Sequence, residues 1–344
     1  MAMMKTIFEN LWNELETEAA VISDKGILKR MVGEGDVCPI FLGIKKPGME
    51  RAFILQIPKE ISPLPEMIPE SKGFDFTVLI SGEEIYLDNV SMILSSSKSD
   101  YNEIFSSISE DLYSKLNILK NKKAIVNLFL NRVRLWQAFF EKQCTEGLSE
   151  DAQKGLYGEL LFLNRYVLTQ KFPYDSLLGF WTGPRNRQHD FQFGTLSVEV
   201  KATSSKQHQK LHISSEQQLD ETLVEKLYLF FVSISLIENN AATLPALVNE
   251  IRNMLTDNAA ALTLFNNTLL ERGYLDAHQV KYEHTGYSVR NSRFFLVQDE
   301  FPRIKETELR KGVGDVGYSI SVAECSNYEV SADAFVDELQ GALS

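Results

Sequence analysis

The chain has 344 residues, of which 44% are hydrophobic, and it carries a formal net charge of −12. A chain of this length can bury a large core and is expected to form more than one domain. The acidic balance argues against a surface coated for non-specific nucleic-acid binding, because phosphate backbones are held by basic faces.

Cysteine usage and hydropathy indicate a cytoplasmic protein. Cys38, Cys144 and Cys325 are far apart and form no C-x-x-C pair, which fits a reducing compartment and excludes a zinc site. No apolar run approaches the roughly 20 residues that span a bilayer. The N-terminal stretch MAMMKTIFENLWNELE is amphipathic and contains acidic residues, unlike a secretory signal. We therefore expect a cytoplasmic location and no membrane contact.

The first hundred residues predict a helix followed by a β-rich module. Ile7, Leu11, Leu15 and Ala19 recur at helical spacing. Glycine and proline then punctuate short β-like segments to about residue 92, as in an antiparallel sheet. The segments are PIFLGI, RAFILQIP, FDFTVLI and EEIYLD. The module shows no catalytic cluster, so it either recognises a target or forms a structural cap.

From Asp100 to Lys142 the pattern becomes helical. A regular apolar stripe indicates a core face or a helix–helix interface rather than a ligand site. The stripe consists of Val126, Phe129, Val133, Trp136 and Phe140.

The segment KGLYGELLFLNRYVL, from Lys154 to Leu168, predicts another helix, with Ser149 as its N-cap. Glu159 projects from near the edge of the apolar stripe, where an unpaired carboxylate is costly to desolvate. Two interpretations stay open. Glu159 is buried beside a metal ion, or it reaches water or pairs with Arg165.

The stretch HDFQFGTLSVEVK, from His189 to Lys201, predicts a β-hairpin. Because glycine tolerates positive φ, Gly194-Thr195 fits a two-residue turn, which sets Asp190 opposite Glu199. Side chains alternate along a strand, so Asp190, Glu199 and Lys201 share one polar face. Directly opposed carboxylates lie about 5 Å apart and repel each other unless a cation lies between them.

This polar face predicts a metal-dependent hydrolytic site. Magnesium prefers hard oxygen ligands and keeps several waters, so Asp190 and Glu199 as metal ligands leave room for a scissile phosphate and an attacking water. Lys201 is placed to orient that water or to neutralise developing charge. The alternative is a solvated strand face that carries ordinary surface charges.

Polar residues around the hairpin are candidate contacts to a phosphate backbone. Arg185 and Arg187 lie in a Pro/Gly turn and either clamp phosphates or cover the end of the hairpin. Gln217 or Gln218, near the helix start at Ser215, could bond a phosphate or the water of a metal. The other candidates are Thr203, on the polar face, and His189, which is alternatively structural. The basic residues of the loop that follows the hairpin are Lys206, His208, Lys210 and His212.

The order of these residues resembles the PD-(D/E)XK nuclease superfamily. The match consists of Glu159 on a helix, then Asp190, then Glu199-x-Lys201 on a strand. More narrowly, GLYGELLFL, W-x-GP, HDF, VEVKAT and S-x-QQL resemble a bacterial family described only as PD-(D/E)XK-motif proteins, which is found among restriction and phage-defence genes. The one departure is His189, where the name of the motif has proline.

The resemblance implies an α/β fold, α+β overall, with a restriction-endonuclease-like core. In that core a central mixed β-sheet is flanked by helices, in the order helix, β-meander, helix and further strand. Asp190 and Glu199 are implied to bind Mg²⁺ or Mn²⁺, Lys201 to be catalytic, and Glu159 to complete the acidic site. Superfamily nucleases often cut two strands with two copies of one site, so a homodimer is expected.

The region after the motifs predicts a strand, two helices and further strands. The segment from Val224 to Ile237 has the continuous apolar character of a buried central strand. The helices are closed at Gly273, and YSVRNSRFFLV and GYSISVAE follow as β segments. This last part is either a winged-helix-like DNA reader or an extension packed on the core. We thus predict a β-rich module at 1–100, a helical connector with the nuclease core at 101–240, and an α+β extension at 241–344.

Two functions fit the sequence. The first is a Mg²⁺-dependent DNA endonuclease of restriction or phage defence, which holds the phosphate backbone of DNA and works with defence-system partner proteins. The second is a nuclease-fold module that binds nucleic acid or a partner and cleaves little or not at all. The chain contains no P-loop, no G-x-G-x-x-G and no G-x-S-x-G, so ATP-driven, dinucleotide and serine-hydrolase functions lack support.

Overall fold

The computed structural model describes residues 2–33, 37–69, 73–80, 89–141, 146–182, 188–206, 209–238 and 242–343. The chain divides into two compact units, Met1–Glu146 and Gly147–Ser344. We call them the N-terminal unit and the C-terminal unit. Across the described ranges, every helix is too short or too polar to span a lipid bilayer.

The N-terminal unit combines helices with an antiparallel sheet. Its elements are α1 (Ala2–Val21), β1 (Gly26–Met31), β2 (Ile40–Lys46), β3 (Glu50–Pro58), β4 (Phe74–Ile80), β5 (Asn89–Ser96), α2 (Asn102–Leu116) and α3 (Lys122–Glu141). The strand order is β1-β2-β3-β5-β4, and every pairing in this sheet is antiparallel. The predicted segments PIFLGI, RAFILQIP and FDFTVLI correspond to β2, β3 and β4, whereas EEIYLD lies outside the described residues.

The helices of this unit bury apolar stripes, but the stripe of α1 differs from the predicted one. The five predicted stripe residues of α3 are all buried. In α1, Phe8 and Trp12 are buried together with Leu15 and Ala19, whereas Ile7 is half exposed. Helical spacing admits both stripes, and the stripe with the large aromatic side chains buries more apolar area.

The C-terminal unit is built on a mixed sheet. Its elements are α4 (Glu150–Phe162), α5 (Tyr174–Gly179), β6 (Phe191–Phe193), β7 (Leu196–Thr203), β8 (Lys210–Ile213), β9 (Lys226–Glu238), α6 (Leu244–Met254), α7 (Ala259–Glu271), α8 (Gln279–Tyr282), β10 (Thr285–Leu296), β11 (Tyr318–Ser321), β12 (Glu329–Val330) and α9 (Ala332–Leu343). The strand order is β12-β10-β9-β7-β6, in which β7 and β9 run parallel and the other neighbours run antiparallel. The predicted α/β class with a central mixed sheet is confirmed.

The two faces of the mixed sheet are covered differently. Tyr228, Phe230 and Val232 of β9 join a cluster with apolar residues of α4, α6, α7 and α9. The alternate residues of β9 join a second cluster with residues of the two-stranded sheet β8-β11. These alternate residues are Leu227, Leu229 and Phe231. Because both faces are buried from Leu227 to Ile234, this part of β9 is almost wholly apolar, as predicted for a central strand.

The region after residue 240 forms part of this sheet. Strand β10 pairs along β9 from Thr285 opposite Glu238 to Leu296 opposite Tyr228. Of the two interpretations left open by the sequence, the structure therefore shows an extension built into the core and not a separate winged-helix-like reader. A central strand has a neighbour on each side, and β9 pairs with β7 on one side and with β10 on the other.

The unit boundary also differs from the sequence-based division. Helices α2 and α3 belong to the N-terminal unit, whereas the sequence grouped residues 101–146 with the nuclease core. The predicted α+β extension, 241–344, lies in the same unit as the nuclease-like motifs. Periodicity reveals that a helix has an apolar face, but it does not reveal which sheet that face covers.

Candidate metal-dependent catalytic site

The predicted hairpin forms with the predicted register. The paired residues are Phe191 with Val198 and Phe193 with Leu196. In the turn, Gly194 adopts a φ of 60°, a conformation that glycine tolerates at no steric cost. Asp190 lies just before β6, and its Oδ2 accepts a hydrogen bond from the backbone N–H of Val200 at 2.9 Å. This bond fixes the Asp190 carboxylate beside β7, next to Glu199.

The polar face of β7 is buried. Glu199 is only 2% exposed and Ser197 is fully buried. The alternative of a solvated strand face is therefore wrong for Glu199. A carboxylate in such a position needs a cation or a proton, because its desolvation is not otherwise offset.

Lys201 supplies one cation at this face. Its Nζ lies 2.9 Å from Oε1 of Glu199 and donates a hydrogen bond of 2.9 Å to Oε1 of Gln218. The same Gln218 oxygen accepts the backbone N–H of Ser214 at 2.9 Å. Gln218, predicted as a contact to phosphate or to metal-bound water, thus holds the ammonium group in place.

Helix α4 brings Glu159 to the same centre. The helix begins at the predicted cap, where Ser149 Oγ accepts the N–H of Ala152. A Cβ on Gly158 would lie 3.1 Å from the Cβ of Ala202, so the glycine lets the helix approach β7 closely. The next residue, Glu159, is consequently buried at 8% exposure.

Arg272, which follows α7, pairs with two of the acids. Its Nη2 lies 2.8 Å from Oε2 of Glu159 and 3.1 Å from Oδ1 of Asp190, and it donates to the carbonyl oxygen of Thr182 at 2.9 Å. The indole N–H of Trp181 donates to the same Glu159 oxygen at 2.8 Å. Glu159 therefore pairs with Arg272 and not with Arg165, as one sequence interpretation had it.

Sequence reasoning missed Arg272. The residue stands in the segment ERGYL, well outside the nuclease-like motifs. The available signal was indirect: a carboxylate in an apolar stripe requires a cationic partner somewhere in the fold. Nothing local to either residue tells which arginine that partner is.

Among the described residues, the carboxyl groups of the site outnumber its basic side chains: Glu159, Asp190 and Glu199 contact Arg272 and Lys201. Burial, reinforced by Asp190, raises the pKa of Glu199 to about 8 despite the nearby Lys201. Burial likewise raises the pKa of Glu159 to about 7, with Asp190 working against the effect of Arg272. Burial acts to lower the pKa of Lys201, but Glu199 and Asp190 outweigh it and the pKa is raised. Lys201 is thus protonated at neutral pH, whereas Glu159 and Glu199 ionise reluctantly.

The remaining candidate residues lie in varied surroundings. His189 is 7% exposed, and burial lowers its pKa despite the nearby carboxylates, so it is a neutral buried imidazole and not a cationic phosphate contact. Thr203 Oγ1 accepts the N–H of Ser205 at 3.2 Å. Gln217 is exposed at the start of a short 3₁₀ helix. Arg185 and Arg187 lie outside the described residues.

The donor set fits a hard divalent cation with few protein ligands. Within the described ranges, no three His, Cys, Asp or Glu side chains are arranged so that all three could hold one metal ion. Magnesium commonly needs only one or two carboxylates, because water and substrate phosphate complete its coordination. Asp190 and Glu199 offer such carboxylates, and a cation beside the buried Glu199 would favour its ionised form.

Comparison with known proteins adds a family to this geometry. The family described as "Putative PD-(D/E)XK family member, (DUF4420)" matches residues 8–323. The chain belongs to this family. Neither the curated proteins nor the solved structures include a match to the chain. Membership confirms the PD-(D/E)XK resemblance, and the mixed sheet of the C-terminal unit is consistent with that nuclease-like fold.

Proposed function

We propose that this protein is a divalent-metal-dependent DNA endonuclease that hydrolyses phosphodiester bonds. The observation that carries the proposal is the convergence of Asp190, Glu199 and Lys201, with Glu159, at the buried face of β7. Asp190 and Glu199 would hold Mg²⁺ or Mn²⁺. Such an ion, when bound, polarises the scissile phosphate and lowers the pKa of a bound water.

The protein's own residues orient these groups. The backbone N–H of Val200 fixes one oxygen of Asp190, and Gln218 fixes the ammonium of Lys201 beside Glu199. Because the pKa of Lys201 is raised, the side chain is an ammonium at neutral pH. We therefore assign it electrostatic stabilisation of developing charge and orientation of the attacking water, rather than the role of a general base.

A strip of exposed polar side chains, connected to the centre through Gln218, supports DNA as the substrate. In the β8-β11 sheet the exposed side chains Lys210 and His212 lie on one face, and Ser321 and Ser319 are their cross-strand partners. Ser214, just after β8, donates to the Gln218 oxygen that holds Lys201. Cationic and hydroxyl side chains bind phosphate oxygens without reading sequence.

We further propose the setting in which the enzyme acts. Free Cys38 and Cys325 are both buried, in keeping with a cytoplasmic protein. A role in restriction or phage defence with defence-system partner proteins follows the gene context of the resembling family. A homodimer would supply two copies of the site, one for each strand of a duplex.

Plasmid cleavage tests the proposal directly. Purified protein incubated with supercoiled plasmid and Mg²⁺ should produce nicked and linear forms, and Lys201→Ala should lower the rate by at least about 100-fold because transition-state charge loses its partner. Lys226→Ala is the matched control, since Lys226 lies on the same sheet but pairs with Glu338 at the surface. Equal cleavage by wild type and Lys201→Ala would attribute the activity to a contaminant and reject the assignment.

A binding module without turnover is the second candidate function. The observation in its favour is that Arg272 and Lys201 already pair with all three carboxylates. Fluorescence anisotropy with a labelled duplex separates the two functions. Tight DNA binding with no cleavage in either Mg²⁺ or Mn²⁺ would favour the module, whereas cleavage abolished by Lys201→Ala would reject it.

A further inference from the structure

We infer that Arg272 is an internal cation that a divalent metal ion must displace from Asp190, so that metal binding is weak until the phosphodiester is present. The inference rests on the proposed function in taking Asp190 as a metal ligand. It concerns a residue outside the motif region, and it assigns to that residue a role in coupling metal to substrate.

Both oxygens of Asp190 are already engaged. Oδ2 accepts the backbone N–H of Val200 at 2.9 Å, and Oδ1 contacts Nη2 of Arg272 at 3.1 Å. The first bond is anchored in β7 and stays as long as the hairpin is formed. The second is a contact between side chains, so the guanidinium is the partner that an incoming cation replaces.

Arg272 stays in the centre after it leaves Asp190. Its Nη2 also contacts Glu159 Oε2 at 2.8 Å and the Thr182 carbonyl oxygen at 2.9 Å. The Nε of Arg272 is buried and has no hydrogen-bond partner among the described residues. A buried donor without an acceptor is costly, and a non-bridging phosphate oxygen is an acceptor that a guanidinium suits.

The net charge of the centre explains why Arg272 couples metal binding to substrate binding. With every group ionised, three carboxylates and two cations leave one net negative charge at the centre. A divalent ion alone turns this into one net positive charge, and the phosphodiester anion then restores neutrality. Without Arg272, the metal-loaded centre would already be neutral. With Arg272 present, the centre is therefore neutral only when the metal ion and the phosphodiester are both bound, and not when the metal ion is bound alone.

Titration calorimetry with Mn²⁺ alone tests the inference. Arg272→Met should bind Mn²⁺ about tenfold more tightly than the wild type, because a like charge and a competing donor are both removed. Arg272→Lys keeps the charge and should bind close to the wild type. Arg132→Met, which removes a buried arginine paired with Asp111 in the N-terminal unit, should leave Mn²⁺ affinity unchanged. Circular dichroism and thermal melting confirm folding.

Activity provides the second readout. Arg272→Met should cleave plasmid more slowly than the wild type although it binds metal more tightly. Loss of structure would instead weaken both metal binding and cleavage. Unchanged or weaker Mn²⁺ binding by Arg272→Met would overturn the inference and leave Arg272 as a residue that only aligns the acids. Absence of plasmid cleavage by the wild type would instead reject the proposed function, because the calorimetric comparison does not depend on turnover.

A second pair of variants tests the inference in case Arg272→Met folds poorly. Arg272→Met combined with Glu159→Gln removes the buried cation together with a buried anion that it neutralises. This double variant should bind Mn²⁺ more tightly than Glu159→Gln alone. Equal or weaker binding by the double variant would again overturn the inference.

Discussion

Each unit contains a carboxylate, partly buried in Asp111 and buried in Glu159, that shares one oxygen between an arginine and a tryptophan indole. In the N-terminal unit, Asp111 Oδ2 contacts Nη2 of Arg132 at 2.6 Å and accepts the indole N–H of Trp136 at 3.0 Å. In the C-terminal unit, Oε2 of Glu159 is bound in the same way by Arg272 and Trp181, both at 2.8 Å. We call each set of carboxylate, arginine and tryptophan a trio. The local chemistry of the two trios is nearly the same.

The difference lies in what surrounds the second trio. Arg272 also contacts Asp190, and Glu199 lies close enough for Asp190 to raise its pKa. Around Arg272, in the described part of the chain, three carboxyl groups therefore meet only two bases, Arg272 and Lys201. A buried ion pair is thus weak evidence of function, and an imbalance among buried charges is much stronger evidence.

The largest expected effect on stability separates the two trios. Asp111→Asn removes the carboxylate charge that contacts the buried Arg132, which should lower the free energy of unfolding by about 3 kcal/mol. Glu159→Gln should cost under about 1 kcal/mol, because a carboxyl whose pKa is raised to about 7 gains little from being ionised. Urea unfolding followed by circular dichroism measures both. Equal losses in the free energy of unfolding would show that the two carboxylates contribute equally to stability.

The dependence of stability on pH should come from the C-terminal trio and its neighbours. The Glu159 and Glu199 carboxyls have an ordinary pKa of 4.5, and in the folded protein the pKa rises to about 7 and about 8. The folded state therefore binds protons that the unfolded chain has released. Their stabilising contribution is complete below 4.5 and is lost as pH rises through 7 and 8, so metal-free protein should melt at a lower temperature at about pH 9 than at about pH 6.

Matched variants assign this pH dependence to the site. Glu199→Gln should flatten the slope of melting temperature against pH, because one of the two protonated carboxyls is gone. Asp111→Asn should lower the melting temperature at every pH and keep the slope. An unchanged slope in Glu199→Gln would mean that other groups titrate and that the pKa of Glu199 is not raised.

The smallest expected effect concerns the approach of α4 that places Glu159. Gly158→Ala would put a Cβ 3.1 Å from Ala202 and 3.3 Å from Val200, and it should destabilise the protein by about 1 kcal/mol. Gly155→Ala, one turn earlier, meets nothing within 4 Å and should stabilise the helix by up to about 1 kcal/mol. Urea midpoints measure both. Stabilisation by Gly158→Ala would show that α4 does not need this glycine to reach β7.

The hairpin was predictable because its information is local. The turn glycine, the alternation of polar and apolar residues and the Asp190–Glu199 spacing all lie within thirteen residues, His189 to Lys201, and the register follows from them. The cap at Ser149 and the apolar strand β9 were predictable for the same reason. Secondary structure and facing residues depend on neighbours in the chain, which the sequence displays directly.

Errors arose, and alternatives stayed open, where a long-range contact selects among options that are equal locally. Helix α1 has two candidate stripes, and packing on the sheet selected the one with Phe8 and Trp12. The segment that becomes β10 could equally have formed part of a separate reader, and pairing with β9 made it part of the core. In both cases the deciding energy comes from burial against a distant element.

The sequence by itself determined the acidic pair, the adjacent lysine and the strand that carries them, because strand alternation places such residues on one face. Only the tertiary structure decided how that face is covered, that Gln218 holds Lys201, and that Arg272 is the counter-charge of Glu159 and Asp190. The physical reason is that a buried charge must be balanced by whichever group the fold brings within a few ångströms. Chain folding, not sequence distance, selects that group.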